Sequence, residues 1–421
     1  MSSASRPRMI VPDVARGMAL LGIAMANMTT AWIITTDRPG SYFGGIIDGS
    51  AWDKAAVVFG AFFVHNRGLP MFSTLLGFGV GLIAMSLWRR GFPVRAARRV
   101  IAKRYAFLAA MGAVHLVLLF WGDIMFFYGV AGIIIAFLLR KRDSTLMLIA
   151  YILFALCALG GVVAFISGAA DPSGVVATEG IGTIESYPDL LLSQLITLGS
   201  QAIATPIIVL MYLPVMLVGF VWARQGVLAD VPSHRPTLLR WVAIAVAITV
   251  VIGTLWSLST LGVIEQRWAN AANNANAFIG VFTGPGILAG LALLLQPVQD
   301  RLSAGAPLPA VLWPFAALGK RSMSGYVGQS ILFFCLVHPF TLNFGHDLGA
   351  FGQATLAFAV WLATLIFACV LEAFDLRGPF EAVHRRLSYG PTMQPQLPGA
   401  AQAIKEQQVA DRYGTRLGRA H

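Results

Sequence analysis

Charge is scarce in this chain of 421 residues: 12% are Asp, Glu, Lys or Arg, while 57% are hydrophobic and the mean hydropathy is +0.73. A soluble domain carries about a quarter charged residues. The shortage excludes a soluble globular enzyme, a disordered chain and a coiled coil. Cysteine is rarer still. Cys157, Cys335 and Cys369 all sit in apolar stretches, which excludes a disulfide-stapled secreted module and offers no redox chemistry. The sequence also lacks a Walker-type glycine loop, HExxH, GxSxG and any Cys/His spacing suited to a metal, so neither ATP-driven transport nor metal hydrolysis is expected, and no metal. The first apolar run is too long for a cleavable signal and is expected to stay as a span.

What remains is a polytopic membrane protein. Ten segments are apolar over the ~20 residues that a transmembrane helix needs: 16–36, 69–88, 104–121, 123–140, 145–168, 203–224, 238–262, 277–296, 321–340 and 350–371. A shorter apolar stretch, 52–66, carries Lys54 and His65 with Arg67 just beyond, and reads as an outer-face or re-entrant helix. Charge then fixes the orientation. Alternate loops with both termini hold 26 basic and 9 acidic residues; the opposite side holds 4 basic and 10 acidic. By the positive-inside rule the basic side is cytoplasmic. The expected fold is an all-α polytopic transmembrane bundle of about ten spans with both termini cytoplasmic.

Residues 1–389 read as one integral membrane domain. The loop 169–202, with Asp171, Glu179, Glu185, Asp189 and no Lys or Arg, is expected to cap an outward-facing mouth. The polar, Gln-rich segment 390–421 is expected to be a mobile cytoplasmic tail. Membrane lipids are the first partners expected, and a homo-oligomer is compatible with the sequence. The cluster Arg89, Arg90, Arg95, Arg98, Arg99, Lys103, Arg104 reads either as an anchor on anionic lipid or as a dock for a polyanion such as the phosphates of coenzyme A. No aromatic platform accompanies these charges, so nucleic acid is not expected.

Polar residues inside spans are costly and point to function. Asp13 and Arg16 are one helical turn apart, and Asn27 lies on the same face eleven residues further, ~16 Å deeper. His115 lies ~16 Å beyond Arg104, at a depth matching Asn27. Asp123 follows in a tight outer turn, where it either caps the next helix or orients His115 or a substrate hydroxyl, with Tyr128 one turn deeper. A third cluster, GKRSMSGYVGQS, carries Tyr326 and Gln329 into a span.

These blocks resemble a known family. RMIVPDVARGMALLGIAMANM is similar to the opening of YeiB-like bacterial membrane proteins, whose pattern runs R-x-x-x-L-D-x-x-R-G-x-A-L-x-G-I-x-x-x-N. LPMFSTLLGFGVGL, GAVHLVLLFWGDIMFFYG, LGKRSMSGYVGQSIL and the closing LRGPFEAVHRRLSYG also fit, and the resemblance extends from Arg8 to Tyr389. The C-terminal domain of that family has no defined activity. Its first helices are similar to those of transmembrane acyltransferases, including heparan-α-glucosaminide N-acetyltransferases and acyltransferase-3 proteins. That likeness implies transfer of an acyl group from cytoplasmic acyl-CoA to an acceptor across a bacterial inner membrane. Acyltransferase-3 proteins carry a histidine where this chain has Asn27. The N-acetyltransferases carry asparagine there and a histidine eleven residues on, where this chain has Arg38. The resemblance therefore leaves the base to His115, with Asn27 donating to the oxyanion and Asp123 in support. The phosphates would fall to Arg16, Arg98, Arg99 and Arg104, with Asp13, Tyr128, Tyr326 and Gln329 lining the path. The competing expectation is a transporter or flippase, whose polar residues form a pathway without covalent chemistry.

Overall fold

A computed structural model describes residues 9–35, 38–170 and 184–396. Among them, each of the ten expected segments coincides with a helix. The first, α1 (Val11–Asn27), continues as a π-helical turn to Trp32. Next, α2 (Ala51–Phe59) passes through a second π-helical turn, Gly60–Val64, into α3 (Gly68–Arg89). The chain then forms α4 (Val94–Leu118), α5 (Met125–Leu138), α6 (Asp143–Ala170), α7 (Tyr187–Gln225) and α8 (Val231–Thr260). It closes with α9 (Arg267–Ile279), α10 (Thr283–Ser303), α11 (Trp313–Lys320), α12 (Ser322–Val337), α13 (Ala350–Ala373) and α14 (Pro379–Tyr389). Seven helical segments are long and apolar enough to cross a membrane, counting α2–α3 and α9–α10 as one each; α5 and α12 are shorter apolar helices.

One expectation changes. The loop assigned to 169–202 is helical at both ends, because α6 runs to Ala170 and α7 already starts at Tyr187. Ser186 accepts from the Asp189 N–H at 3.4 Å, and Pro188 occupies a first-turn position whose missing N–H costs nothing. Leu190 and Gln194 then face inward. Asp171 and Glu179 lie outside the described residues, as does the expected tail from residue 397 onward. In the stretch read as re-entrant, two helical pieces meet a break at His65–Arg67 inside an otherwise helical segment.

A helix-only architecture satisfies backbone groups within each element, which the bilayer interior demands. Apolar residues on the outer faces are left exposed, as on α6, where Leu148, Ile152, Leu156 and Leu159 recur at three- and four-residue spacing toward lipid. Association in lipid relies on close contact more than on hydrophobic burial. The pair α3–α7 shows how. A methyl group on Gly77 would collide with the Met216 carbonyl, and one on Gly219 with the Thr74 carbonyl, so the two backbones touch reciprocally. Around this pair α4 packs on α5, α8 on α10, and α6 on α9, while α1 runs between α3, α11 and α13.

Gly219→Ala is expected to cost about 1–3 kcal/mol, because backbone rather than a flexible side chain must give way. It should lower the melting temperature in detergent. Gly199→Ala, where nothing lies within 4 Å of the added methyl, should not. Equal melting of the two variants would refute the close contact.

Candidate active site

His115 sits in the last turn of α4, and the chain reverses over residues 119–124 into α5. Asp123 controls this reversal. Its Oδ1 accepts from the Phe126 N–H at 2.6 Å, capping α5, and its Oδ2 lies 2.6 Å from His115 Nδ1. Both side chains are essentially removed from solvent, at 3% and 0% exposure. Gly112 makes the fit possible, since a methyl there would meet the Phe126 nitrogen and Asp123 Oδ1. The cap and the histidine partner are thus one carboxylate serving both roles. A proton on Nδ1 facing that carboxylate leaves Nε2 as an acceptor. Nε2 is buried and has no hydrogen-bond partner among the described residues. The Tyr326 ring packs against the imidazole with centroids 5.3 Å apart, while its hydroxyl accepts from the Ile124 N–H at 3.3 Å.

Below this pair an inner cavity of about 320 Å³ opens between Arg16, Arg104, Lys320 and Arg385, with Asp13, Glu381 and His384 at the same level. Its walls are Phe72, Leu75, Leu76 and Leu108, and its deep end is closed by Ile124, Met125, Tyr128 and Tyr326. Tyr128 is fixed there by Ser73 at 3.2 Å and by donation to the Leu69 carbonyl at 3.3 Å. A second, outer cavity of about 330 Å³ is lined by Asn27, Thr30, Tyr42, His65, Asn66, Tyr212, Asn273 and Asn276. Ile124 lines both and is the one residue the two linings share.

The candidates divide accordingly. Asp13, Arg16, Arg104, Tyr128 and Tyr326 meet around the inner cavity, and His115 with Asp123 sits beside its deep end. Asn27 faces the outer cavity instead, on the far side of Ile124. Arg98 and Arg99 lie away from both: Arg98 stacks over Phe137 at 5.2 Å and Arg99 is exposed. Gln329 donates to Thr364 Oγ1 at 3.4 Å and ties α12 to α13. Among the described residues no three His, Cys, Asp or Glu side chains gather as they would around a metal.

The outer cavity holds residues that sequence reasoning missed. His65 and Asn66 stand in the break before α3, and Asn66 has φ of 56°, a left-handed conformation. The signal was there in the polar triplet HNR within an apolar stretch and in the asparagine-rich NAANNANA of α9. Asn276 of α9 donates to the His65 carbonyl at 3.2 Å and accepts from Arg67 at 2.8 Å, while Asn66 accepts from the Tyr212 hydroxyl at 3.1 Å.

The helix α14 forms one wall of the inner mouth. Glu381 accepts from the Met323 and Ser324 N–H groups at 2.7 and 3.1 Å, capping α12, and His384 Nε2 lies 2.8 Å from the Arg104 carbonyl. Burial, and then the charge of Arg104, push the His384 pKa down from 6.5 to about 4. The docked form is the neutral ring, whereas a released ring takes up a proton near its ordinary value. Docking of α14 is therefore at full strength above about pH 6.5 and is lost as pH falls through that value toward about 4. Hydrogen exchange across 379–389, corrected for intrinsic rates, should accelerate on acidification, and His384→Gln should flatten that dependence. A pH-independent wild type would overturn the assignment.

Comparison with known proteins is consistent with this architecture. Residues 222–391 match the model of a family described as a protein of unknown function (DUF418). The uncharacterized protein YeiB of Escherichia coli (strain K12) is 27% identical over 415 residues, covering 90% of this chain and 96% of its own length. The uncharacterized protein YxaH of Bacillus subtilis (strain 168) is 23% identical over 406 residues, covering 91% and 94%. No solved structure matches. The near end-to-end similarity to such relatives, together with the helical bundle, makes this a multi-pass membrane protein similar to YeiB and YxaH.

Proposed function

We propose that this protein is a membrane-embedded acyltransferase of the bacterial cytoplasmic membrane. It moves an acyl group from cytoplasmic acyl-CoA to a hydroxyl or amine on the outer side. One observation carries the reading: two cavities share one lining residue, Ile124, next in sequence to the buried carboxylate of the His115–Asp123 pair, which itself lines neither.

The inner cavity has the chemistry of the donor. Arg16, Arg104, Lys320 and Arg385 form a cationic rim for phosphates, and the leucine- and phenylalanine-lined interior suits an extended thioester arm. The acceptor occupies the outer cavity. His115 Nε2 takes the proton from the acceptor O–H or N–H as that atom attacks the thioester carbonyl. Asn27 donates to the oxyanion that forms. The C–S bond then breaks, the electron pair leaves on sulfur, and the imidazolium returns its proton to the thiolate. Asp123 holds the ring in the required tautomer throughout. Ile124 has to swing aside for the two substrates to meet.

A transporter remains the second reading, favoured by one specific feature. The break at His65–Arg67 packs directly on the end of α9 at the wall of the outer cavity, and discontinuous helices are common at solute sites.

Acyl-CoA binding by the purified protein discriminates between them. Arg16→Gln should weaken binding about tenfold or more, the worth of a charge-assisted contact. His115→Gln should bind as wild type yet lose thioester turnover. Folded wild-type protein that binds neither acetyl-CoA nor a long-chain acyl-CoA would overturn the acyltransferase reading.

A further inference from the structure

Arg67 is buried, at 4% exposure, and carries an uncompensated charge. Its Nε donates to the Phe62 carbonyl at 3.2 Å, and its Nη1 to the Asn66 carbonyl at 3.1 Å and to Asn276 Oδ1 at 2.8 Å. Nη2 is buried without a partner, and among the described residues Arg67 forms no ion pair with a carboxylate. Neutral oxygens alone leave such a charge poorly stabilised, and interior cations are normally met by an anion. The neighbouring outer cavity contains no Asp, Glu, Lys or Arg in its lining, so Arg67 behind Asn276 sets the sign of its field.

Three further features converge on the same space. His65 is buried at 4% exposure and lines the cavity, and its ring nitrogens have no hydrogen-bond partner among the described residues. The amides of Asn27, Asn66, Asn273 and Asn276 surround it. Asn66 is held at φ of 56°, and strained backbone of this kind persists where surrounding contacts over-determine it, commonly at ligand sites.

We propose that the outer cavity is a binding site for a small ligand bearing an anionic group, a carboxylate or a phosphate, whose charge answers Arg67 and whose oxygens bond His65 and the amides of Asn27 and Asn273. Identifying that ligand with the acyl acceptor rests on the acyltransferase reading; the anion site itself does not.

The test uses the full chain in detergent without acyl-CoA, at fixed ionic strength. Acetate, inorganic phosphate and glycerol 1-phosphate are titrated against glycerol as the neutral control, with melting temperature as readout. At least one anion should give a saturable rise of about 2–4 °C, and glycerol none. The response should survive in Arg16→Gln, which alters the inner mouth. It should vanish in Asn273→Asp, whose carboxylate supplies the missing counter-charge and repels the ligand, and that variant should melt no lower than wild type. If Asn273→Asp does not fold, Asn27→Asp brings the same charge from the opposite wall. A response absent for all three anions, abolished by Arg16→Gln, or undiminished by the added carboxylate overturns the site. Acetate against phosphate separates the two anion classes. Acyl-CoA titrated in parallel keeps the two proposals apart. Donor binding without an anion response removes this site alone, and an anion response without donor binding removes the acyltransferase reading alone.

Discussion

The bilayer interior offers no water, so each backbone N–H or C=O that leaves a helix there needs a partner from the protein itself. At two of the places where the described residues lose helical continuity, the groups left over are met by side chains that also line a cavity or support one. At the α4–α5 reversal the work is done by Asp123 and the Tyr326 hydroxyl, which bond the Phe126 and Ile124 N–H groups. At the break before α3 it is done by Asn276, which takes up the His65 carbonyl, and by Asn66, which reaches across to the Asn276 and Ala277 carbonyls. Polar groups in such a setting are costly when unpaired, and among the described residues His115 Nε2 and Arg67 Nη2 are two that remain so beside the cavities, with Trp88 Nε1, Ser257 Oγ, His338 Nε2 and Gln353 Oε1 elsewhere.

The two cavities differ in how their charge is managed. At the inner mouth cations outnumber acids, but those acids have structural duties. Asp13 lies 3.4 Å from Arg16, Glu381 caps α12, and Glu372 holds Lys320 and Arg321 at 2.5 Å each. Neutralisation is partial, so the mouth keeps a net cationic rim. The outer cavity is the reverse case. Its described lining is uncharged, Arg67 lies behind Asn276, and the low dielectric lets that charge act over several ångströms.

Much of this was legible from composition and spacing because bilayer physics is simple. Apolar length marked the helices that make up the bundle. Arg16 and Arg104, taken as markers of one interface, line the same cavity, and the eight-residue interval from His115 to Asp123 joined two polar residues across a tight turn. Depth alone was insufficient for Asn27 and His115. Two residues equally far from the interface can face different spaces, and which they face depends on helix rotation, fixed here by glycine contacts such as Gly112 against Phe126 that no linear pattern displays. The Asn276–Arg67 bond was harder still to read, because it spans 209 residues and joins two helices that only tertiary packing brings together.

A permanently open passage lined by polar groups would leak protons and small ions across a membrane, and the residue that the two polar cavities share, Ile124, is apolar. Its backbone N–H is bonded by Tyr326 and its neighbour Asp123 is bonded to His115, so the backbone at this boundary is tied to the histidine–carboxylate pair while the Ile124 side chain keeps its own rotamer freedom.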